Sequence, residues 1–163
     1  MPHIASKFRS PRLALVLTVL LAGSAAVAST SFAAECPADK KKDAAREPVT
    51  LAANDVTDTV IASIDVAKEP AKINDRLFRM RKLVIQPGGI VPWHSHGDRP
   101  AIIYVIEGEI LEFASNCSVP IEHGPGDVTT ETSAVSHWWK NLGDKPVVLL
   151  SADLLKDKMD HAM

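Results

Sequence analysis

The stretch that decides the fold runs from Gly88 to Gly108 and reads GGIVPWHSHGDRPAIIYVIEG. Its centre is His94-Ser95-His96, two imidazoles separated by one residue in an apolar, β-branched setting. Side chains alternate between the two faces of a strand, so both histidines point the same way. At about 3.3 Å per residue their Cα atoms lie roughly 6.6 Å apart, close enough to share one metal ion. Two ligands on a helix would need a spacing of three or four residues, so this pattern predicts a strand.

A third histidine follows downstream, within Ser136-His137-Trp138-Trp139. The two stretches together resemble the paired motifs of the cupin family, the small β-barrel metalloproteins. The first family motif reads G-x5-H-x-H-x4-E-x6-G and the second reads G-x5-P-x-G-x2-H-x3-N. The residues that fit them are Gly88, His94, His96 and Gly108 in the first, and Gly126, His137 and Asn141 in the second. The resemblance covers about residues 73–155. It implies an all-β fold, a single-domain cupin β-barrel or jelly roll.

The sequence departs from the family pattern at three positions. Thr132 and Ala134 replace the proline and glycine of the second motif, which reshapes a turn. Ala101 stands where the family has a glutamate, which removes one metal ligand and one negative charge. With neutral ligands alone, a divalent ion keeps its full charge. The site should therefore favour an anionic partner such as a carboxylate, an enolate or a thiolate.

The resemblance implies that His94, His96 and His137 are ligands of one divalent transition metal. Three neutral imidazoles bind Fe, Zn, Mn, Ni or Cu and leave positions open for water or substrate. The spacing does not choose among these metals. The alternative is a cavity in which the three histidines carry no metal and serve as hydrogen-bonding groups.

Two classes of function remain open. The first is a metal-dependent enzyme acting on a small anionic molecule, with dioxygenase-like, isomerase or lyase chemistry. The second is a non-catalytic periplasmic module that binds a metal or a small ligand. An enzyme that transfers protons needs a positioned acid or base. Glu131 is the candidate expected to face inward, and Tyr104, which alternates with Ile103, is a distant second.

Glu131 is also the first candidate to replace the missing carboxylate ligand. Asp98 and Glu107 come behind it, because each lies in a predicted turn. The predicted pocket consists of Ala101, Ile103, Val105 and Trp139, with Arg99 at its mouth to hold an anion.

The remaining aromatic and imidazole side chains are assigned to the outside. Trp93 and Trp138 alternate with the histidines and are expected to pack outside the barrel. His123 follows Pro120 in a predicted loop and is expected on the surface.

Residues 1–33 have the layout of a secretory signal peptide, with Lys7, Arg9 and Arg12 ahead of an apolar run. Its removal takes away three positive charges and no negative ones, so the formal net charge goes from −2 to −5. An acidic domain without a basic stripe is a poor nucleic-acid binder, and no membrane association is expected after cleavage. The predicted segments are 1–33 signal peptide, 34–55 polar linker or arm, 56–155 barrel and 156–163 polar tail.

Cys36 and Cys117 both belong to the exported part. An even number of cysteines in an oxidising compartment suggests one disulfide, and two free thiols are the alternative. The predicted location is the periplasm or the outside of the cell. A homodimer is what the family resemblance implies.

The strand pattern favours a barrel built from many short strands. Leu77 to Gln86 reads as one strand, and Pro87-Gly88-Gly89 as a turn that stops it. Val91 to His96 is then a separate short strand that carries the first two ligands.

Overall fold

The computed structural model describes residues 35–156, which form eight β-strands and one 3₁₀ turn at Ala38–Lys40. The strands are β1 (Asn54–Asp65), β2 (Leu77–Ser95), β3 (Ala101–Glu107), β4 (Ile110–Ala114), β5 (Ile121–His123), β6 (Val128–Glu131), β7 (Ser136–Lys140) and β8 (Val147–Leu155). Every pairing among them is antiparallel. The all-β prediction is confirmed. The predicted signal peptide and all but the first residue of the predicted tail lie outside the described residues.

The strands make one curled sheet in the order β5-β4-β7-β2-β8-β3-β6, with β1 added along β2. The curl is visible in side-chain contacts between strands that stand far apart in this order. Glu131 on β6 and Glu112 on β4 both lie within 3.4 Å of the same nitrogen of His137 on β7. The sheet therefore folds back on itself and encloses an interior, as the barrel prediction requires.

β2 is one bent strand of 19 residues, so the prediction of a turn that ends it at Pro87-Gly88-Gly89 is wrong. Its first half pairs with β8, and its second half pairs with β7. Gly88 has a φ of +80°, a backbone conformation that glycine adopts without strain. Its N–H donates to the Asn141 carbonyl at 3.0 Å, and the Asn141 N–H donates to the Gly89 carbonyl at 3.1 Å. Hydrogen bonding thus continues through the bend, and the pairing partner of β2 changes there from β8 to β7.

Asn141 fixes this bend with its side chain as well, and it is fully buried. Its Nδ2 donates to the carbonyl of Ile85 at 3.0 Å and to that of Lys145 at 2.8 Å, while its Oδ1 accepts from the Gly143 N–H at 2.9 Å. The asparagine of the second motif is therefore a structural residue that joins the bend of β2 to the β7–β8 hairpin.

The interior has an apolar zone and a polar zone. The apolar zone contains Leu83, Ile85, Val91, Val105, Ile110, Trp139, Val147 and Leu149, among others. The polar zone holds buried charges on the same strands. Arg79 donates from Nε and Nη2 to the two oxygens of Asp153, at 2.9 and 2.7 Å. Arg81 pairs with Asp58 on β1. These pairings compensate the charges, which burial without partners would make very costly.

The N-terminal arm is tied to the loop after β4. Cys36 and Cys117 form a disulfide, and Lys41 pairs with Cys117 as an isolated antiparallel bridge. The Ser118 N–H donates to the Lys40 carbonyl at 3.1 Å. The start of the predicted linker is thus held against the barrel in this structure. Among residues 35–156, no helix is long and apolar enough to cross a membrane.

Candidate metal centre

Three histidines, His94, His96 and His137, meet inside the curled sheet and are called the three-histidine set below. His94 on β2 lies directly opposite His137 on β7 in the strand register, and His96 follows the last residue of β2. The Nε2 atom of His137 lies 3.2 Å from Nε2 of His94 and 3.2 Å from Nε2 of His96. This separation suits nitrogens that each bind a shared ion at about 2.1 Å.

A hydrogen bond at Nδ1 fixes the orientation of each ring. Nδ1 of His94 lies 2.8 Å from the Pro92 carbonyl, and Nδ1 of His96 lies 3.1 Å from the Arg99 carbonyl. Nδ1 of His137 lies 2.6 Å from Oε1 of Glu112. Carbonyl and carboxylate oxygens only accept hydrogen bonds, so all three Nδ1 atoms must donate. In the neutral rings the lone pairs therefore lie on Nε2 and point at one another.

This arrangement fits a metal ion. Burial, then the nearby His137, lowers the pKa of His94 to about 3. Burial and His137 likewise lower the pKa of His96 to about 4. Both rings are thus neutral at pH 7, so their Nε2 lone pairs are available to a cation beside Nε2 of His137, which lies 3.2 Å from each of them. Metal-ligating histidines characteristically donate their other nitrogen to a carbonyl or carboxylate, as all three do here.

The position of the missing family glutamate, Ala101, is buried between two carboxylate residues. In the strand register Ala101 pairs with Glu131 on β6 and with Asp153 on β8. Asp153 forms ion pairs with three buried arginines, Arg79, Arg81 and Arg99. Oε2 of Glu131 lies 3.4 Å from Nδ1 of His137, the nitrogen that faces away from the converging Nε2 atoms. Among the described residues, no carboxylate joins the three-histidine set.

A second layer of buried polar groups lies behind His137. Glu112 accepts from His137 with Oε1 at 2.6 Å and from His123 with Oε2 at 2.9 Å. Burial acts to raise the pKa of Glu112, but the hydrogen bonds from these two histidines outweigh it and lower the pKa to about 2. Burial raises the pKa of Glu131 to about 7. Glu112 is therefore the anionic partner of His137.

The prediction that His123 lies on the surface is wrong: the residue is fully buried and stacks on Trp139 at a centroid distance of 4.6 Å. Neither His123 nor Glu112 was predicted to belong to the site. The strand pattern predicts this burial, because Glu112 lies two residues from both Ile110 and Ala114 and therefore on their inward face. His123 likewise shares the face of Ile121. A charged residue at an inward position is a candidate for a buried functional role.

The three-histidine set opens into a cavity of about 30 Å³, enough for one or two waters. Five apolar side chains line it, and two of them, Ile103 and Trp139, were predicted. Ala101 and Val105 are buried nearby without lining it, and Arg81 and Ser151 supply its other polar groups. His94 is half-buried whereas the other two histidines are buried, so the site meets solvent at His94.

Several other predicted residues lie away from this cavity. Tyr104 is 45% exposed on the outer face, so it cannot act on a ligand inside. Asp98 is exposed and pairs with Lys156 at 3.2 Å, and Glu107 is also exposed. Trp138 stacks outside the barrel on Phe113, and Trp93 is half-buried. Arg99 is buried, with Nη1 3.5 Å from Asp153 Oδ2, and its side chain is absent from the described cavity wall.

We expect His96 to make the metal-free protein less stable in acid. Its folded pKa of about 4 lies below the ordinary value near 6.5, so the unfolded chain binds more protons between these pH values. The free energy of unfolding should therefore fall as pH falls from about 6.5 to about 4. In urea unfolding with EDTA, wild type should lose up to about 1.4 kcal/mol more per pH unit than His96→Gln. Glu131, whose folded pKa is raised, changes the free energy of unfolding in the opposite direction over this range. Because both proteins contain Glu131, its effect cancels in the comparison. Equal slopes would contradict this assignment.

Glu112 should control the affinity of the centre through His137. Replacing it by glutamine removes the anionic acceptor at Nδ1, so we expect metal affinity to fall by about 10–100-fold. The measurement is a competition titration against a chromophoric chelator. The control is Glu122→Gln, which removes the same charge from the exposed face of the neighbouring strand. An unchanged affinity in Glu112→Gln would show that Glu112 only fills space.

Comparison with known proteins agrees with this architecture. The chain is 30% identical over 104 residues to "Probable germin-like protein subfamily 2 member 5" of Arabidopsis thaliana, covering 62% of this chain and 48% of the relative. It is 27% identical over 104 residues to Nectarin-1 of Nicotiana langsdorffii x Nicotiana sanderae, covering 62% and 45%. The match thus spans just under half the length of each of these curated relatives.

A solved structure, that of a predicted oxalate decarboxylase from Thermotoga maritima, is similar with a TM-score of 0.49 and 22% identity. The similarity covers 61% of this chain and 80% of the other. The family model described as "Cupin domain" matches residues 81–153, which include the whole three-histidine set. Residues 81–153 are thus a cupin domain of the cupin-2 type, and the similarity to the germin-like relative supports the same family.

Proposed function

We propose that this protein is an exported cupin that holds one divalent transition metal on the three-histidine set (His94, His96 and His137) and binds or transforms a small anionic molecule there. The observation that carries the proposal is the orientation of the rings. Each Nδ1 is committed to an acceptor, so the Nε2 atoms are left for a ligand, and those of His94 and His96 each lie 3.2 Å from that of His137. A bound ion would act as a Lewis acid on an anionic oxygen or sulfur. The donor set does not select among iron, zinc, manganese, nickel and copper.

The anionic character of the guest follows from charge. Three neutral imidazoles offset none of the charge of a divalent ion, and Ala101 supplies no carboxylate. The cavity of about 30 Å³ limits the guest to a few non-hydrogen atoms near the metal. Its mostly apolar walls lower the local polarity, which strengthens the attraction between the ion and an anion.

The second candidate is a non-catalytic module that holds a metal or small ligand. It is favoured by the absence of any carboxylate or tyrosine from the described cavity wall. Glu131 lies behind His137, and Tyr104 lies on the outer face. A reaction that needs a protein carboxylate or phenol in contact with the guest is therefore unsupported, whereas binding and metal-centred chemistry need no such group.

Export is supported by the disulfide between Cys36 and Cys117, because disulfides persist in oxidising compartments. Together with the signal-peptide layout of residues 1–33, it favours the periplasm or secretion.

A homodimer is supported by an outer apolar face. On β3, Ile102, Tyr104 and Ile106 are each at least 43% exposed, and Val128 on β6 pairs with Tyr104. Phe78 on β2 extends the same face across β8. A contiguous exposed patch of this kind marks an interaction site, and a second copy offers the same surface in a two-fold arrangement.

The metal site is tested by elemental analysis of the protein purified from the exported fraction. We expect about one equivalent of one transition metal in wild type and less than about a tenth in His94→Ala and His137→Ala, because a three-nitrogen site that loses one ligand binds weakly. His161→Ala, which alters a histidine beyond the described residues, is the control and should keep its metal. Less than about half an equivalent in wild type after metal loading would contradict the proposal.

The dimer is tested by sedimentation equilibrium. Ile102→Lys places a charge in the middle of the outer apolar face and should convert a dimer into a monomer. Leu142→Lys, at a hairpin residue that is 63% exposed and outside this face, should leave the mass unchanged. A wild-type protein that sediments as a monomer would contradict the proposed dimer directly.

A further inference from the structure

Arg81 is a buried cation in the wall of the metal cavity that the sequence analysis did not single out. It lies on β2, shares the inward face with Leu83, and is 8% exposed. It lines the same cavity as the three-histidine set. Because that cavity measures about 30 Å³, Arg81 and the three-histidine set are within reach of one small molecule inside it.

The hydrogen bonds of Arg81 leave donors available. Nη1 donates to Asp58, and Nη2 donates to Ser151 Oγ at 3.3 Å. Nε lies 3.3 Å from Asp153 Oδ2 but is not aligned for a hydrogen bond, and it is a buried donor without an acceptor among the described residues. A guanidinium has five N–H groups, so these contacts use only two of them. The side chain is therefore held in place, and it still has N–H groups that can donate to a bound molecule.

Ser151 adds a second donor beside Arg81. It is fully buried on β8 and lines the same cavity. Its oxygen accepts the hydrogen bond from Arg81, so its own hydroxyl proton is left to donate. A buried arginine and a hydroxyl side by side suit a carboxylate, because the planar guanidinium matches its two oxygens.

Arg99 was the residue expected to hold an anion, but the geometry favours Arg81. The Arg99 guanidinium faces Asp153 at 3.5 Å, and its backbone carbonyl is the acceptor that orients His96. Arg99 does not line the described cavity, whereas Arg81 does.

We propose that Arg81 and Ser151 are the carboxylate-binding half of the metal cavity. The guest is a small carboxylate: one oxygen binds the metal on the three-histidine set, and the other accepts hydrogen bonds from Arg81 and Ser151. The apolar residues Ile103 and Leu149 enclose the remaining atoms. This inference rests on the proposed metal site and specifies the class of its anionic partner.

The experiment uses the mature protein loaded with Co²⁺, whose visible absorption reports on its ligands, and formate as the probe. Cobalt content is measured first, and formate is then titrated while the cobalt bands are recorded. In wild type, formate should shift these bands saturably. Arg81→Met should keep one equivalent of cobalt and bind formate about tenfold more weakly or worse, since a hydrogen bond to a charged group is lost.

The matched control is Lys82→Met, which loses the same charge one residue along β2 on the exposed face. It should bind formate like wild type. Ser151→Ala removes the second hydrogen-bond donor and should weaken the binding of formate by roughly fivefold. If Arg81→Met fails to fold because Asp58 is left unpaired, the double variant Arg81→Met/Asp58→Asn removes both charges and takes its place.

The outcomes separate the two proposals. Full cobalt occupancy with unchanged formate binding in the Arg81 and Ser151 variants would overturn the carboxylate assignment and leave the metal site standing. Full cobalt occupancy in wild type without a change of the cobalt bands on addition of formate would also overturn the carboxylate assignment and leave the metal site standing. Failure of wild type to bind cobalt, or any other loaded metal, would overturn the metal site and this inference with it.

Discussion

The constraint on which the site depends is the hydrogen bond at Nδ1 of each histidine of the three-histidine set. His94 and His96 donate to backbone carbonyls within a few residues of themselves, so the local chain orients these two rings. His137 donates to Glu112, a side chain from a different strand, so its orientation depends on the tertiary fold. Once the three Nδ1 atoms are committed, the Nε2 atoms are the ring nitrogens left to bind a cation.

The fold is arranged to bring these acceptors into place. β2 must leave β8 and pair with β7 for His94 to face His137, and the bend at Gly88 with the buried Asn141 makes this possible. The curl of the sheet then places β6 and β4 behind His137, where Glu112 meets His137 and His123. Arginines of β2 pair with an aspartate on β8 and another on β1, and their desolvation is tolerated because each charge has a partner.

The replacement of the family glutamate by Ala101 decides the electrostatics of the cavity. Asp153 and Glu131 both flank Ala101 in the register, yet arginines hold the first and the second lies on the far side of His137. The cavity therefore contains neutral imidazoles, a buried guanidinium and a hydroxyl, with no carboxylate in its described wall. Such a cavity attracts an anion once a metal is bound, and the negative group absent from the protein can come from the guest.

The sequence by itself determined the all-β class, most strands and the three ligand histidines, because strand alternation and the two motif spacings are local properties. It also placed Ile103 and Trp139 on the cavity wall by alternation alone. Tertiary structure decided the features that depend on contacts between residues far apart in the sequence, which local patterns do not contain. Gly88 reads locally as a turn, but hydrogen bonds to Asn141, more than 50 residues away, keep β2 continuous. Whether Glu131 joins the three-histidine set, whether His123 is buried and whether Arg81 or Arg99 lines the cavity depend on contacts between distant strands. Those contacts are set by how the sheet curls, which no single stretch of sequence specifies.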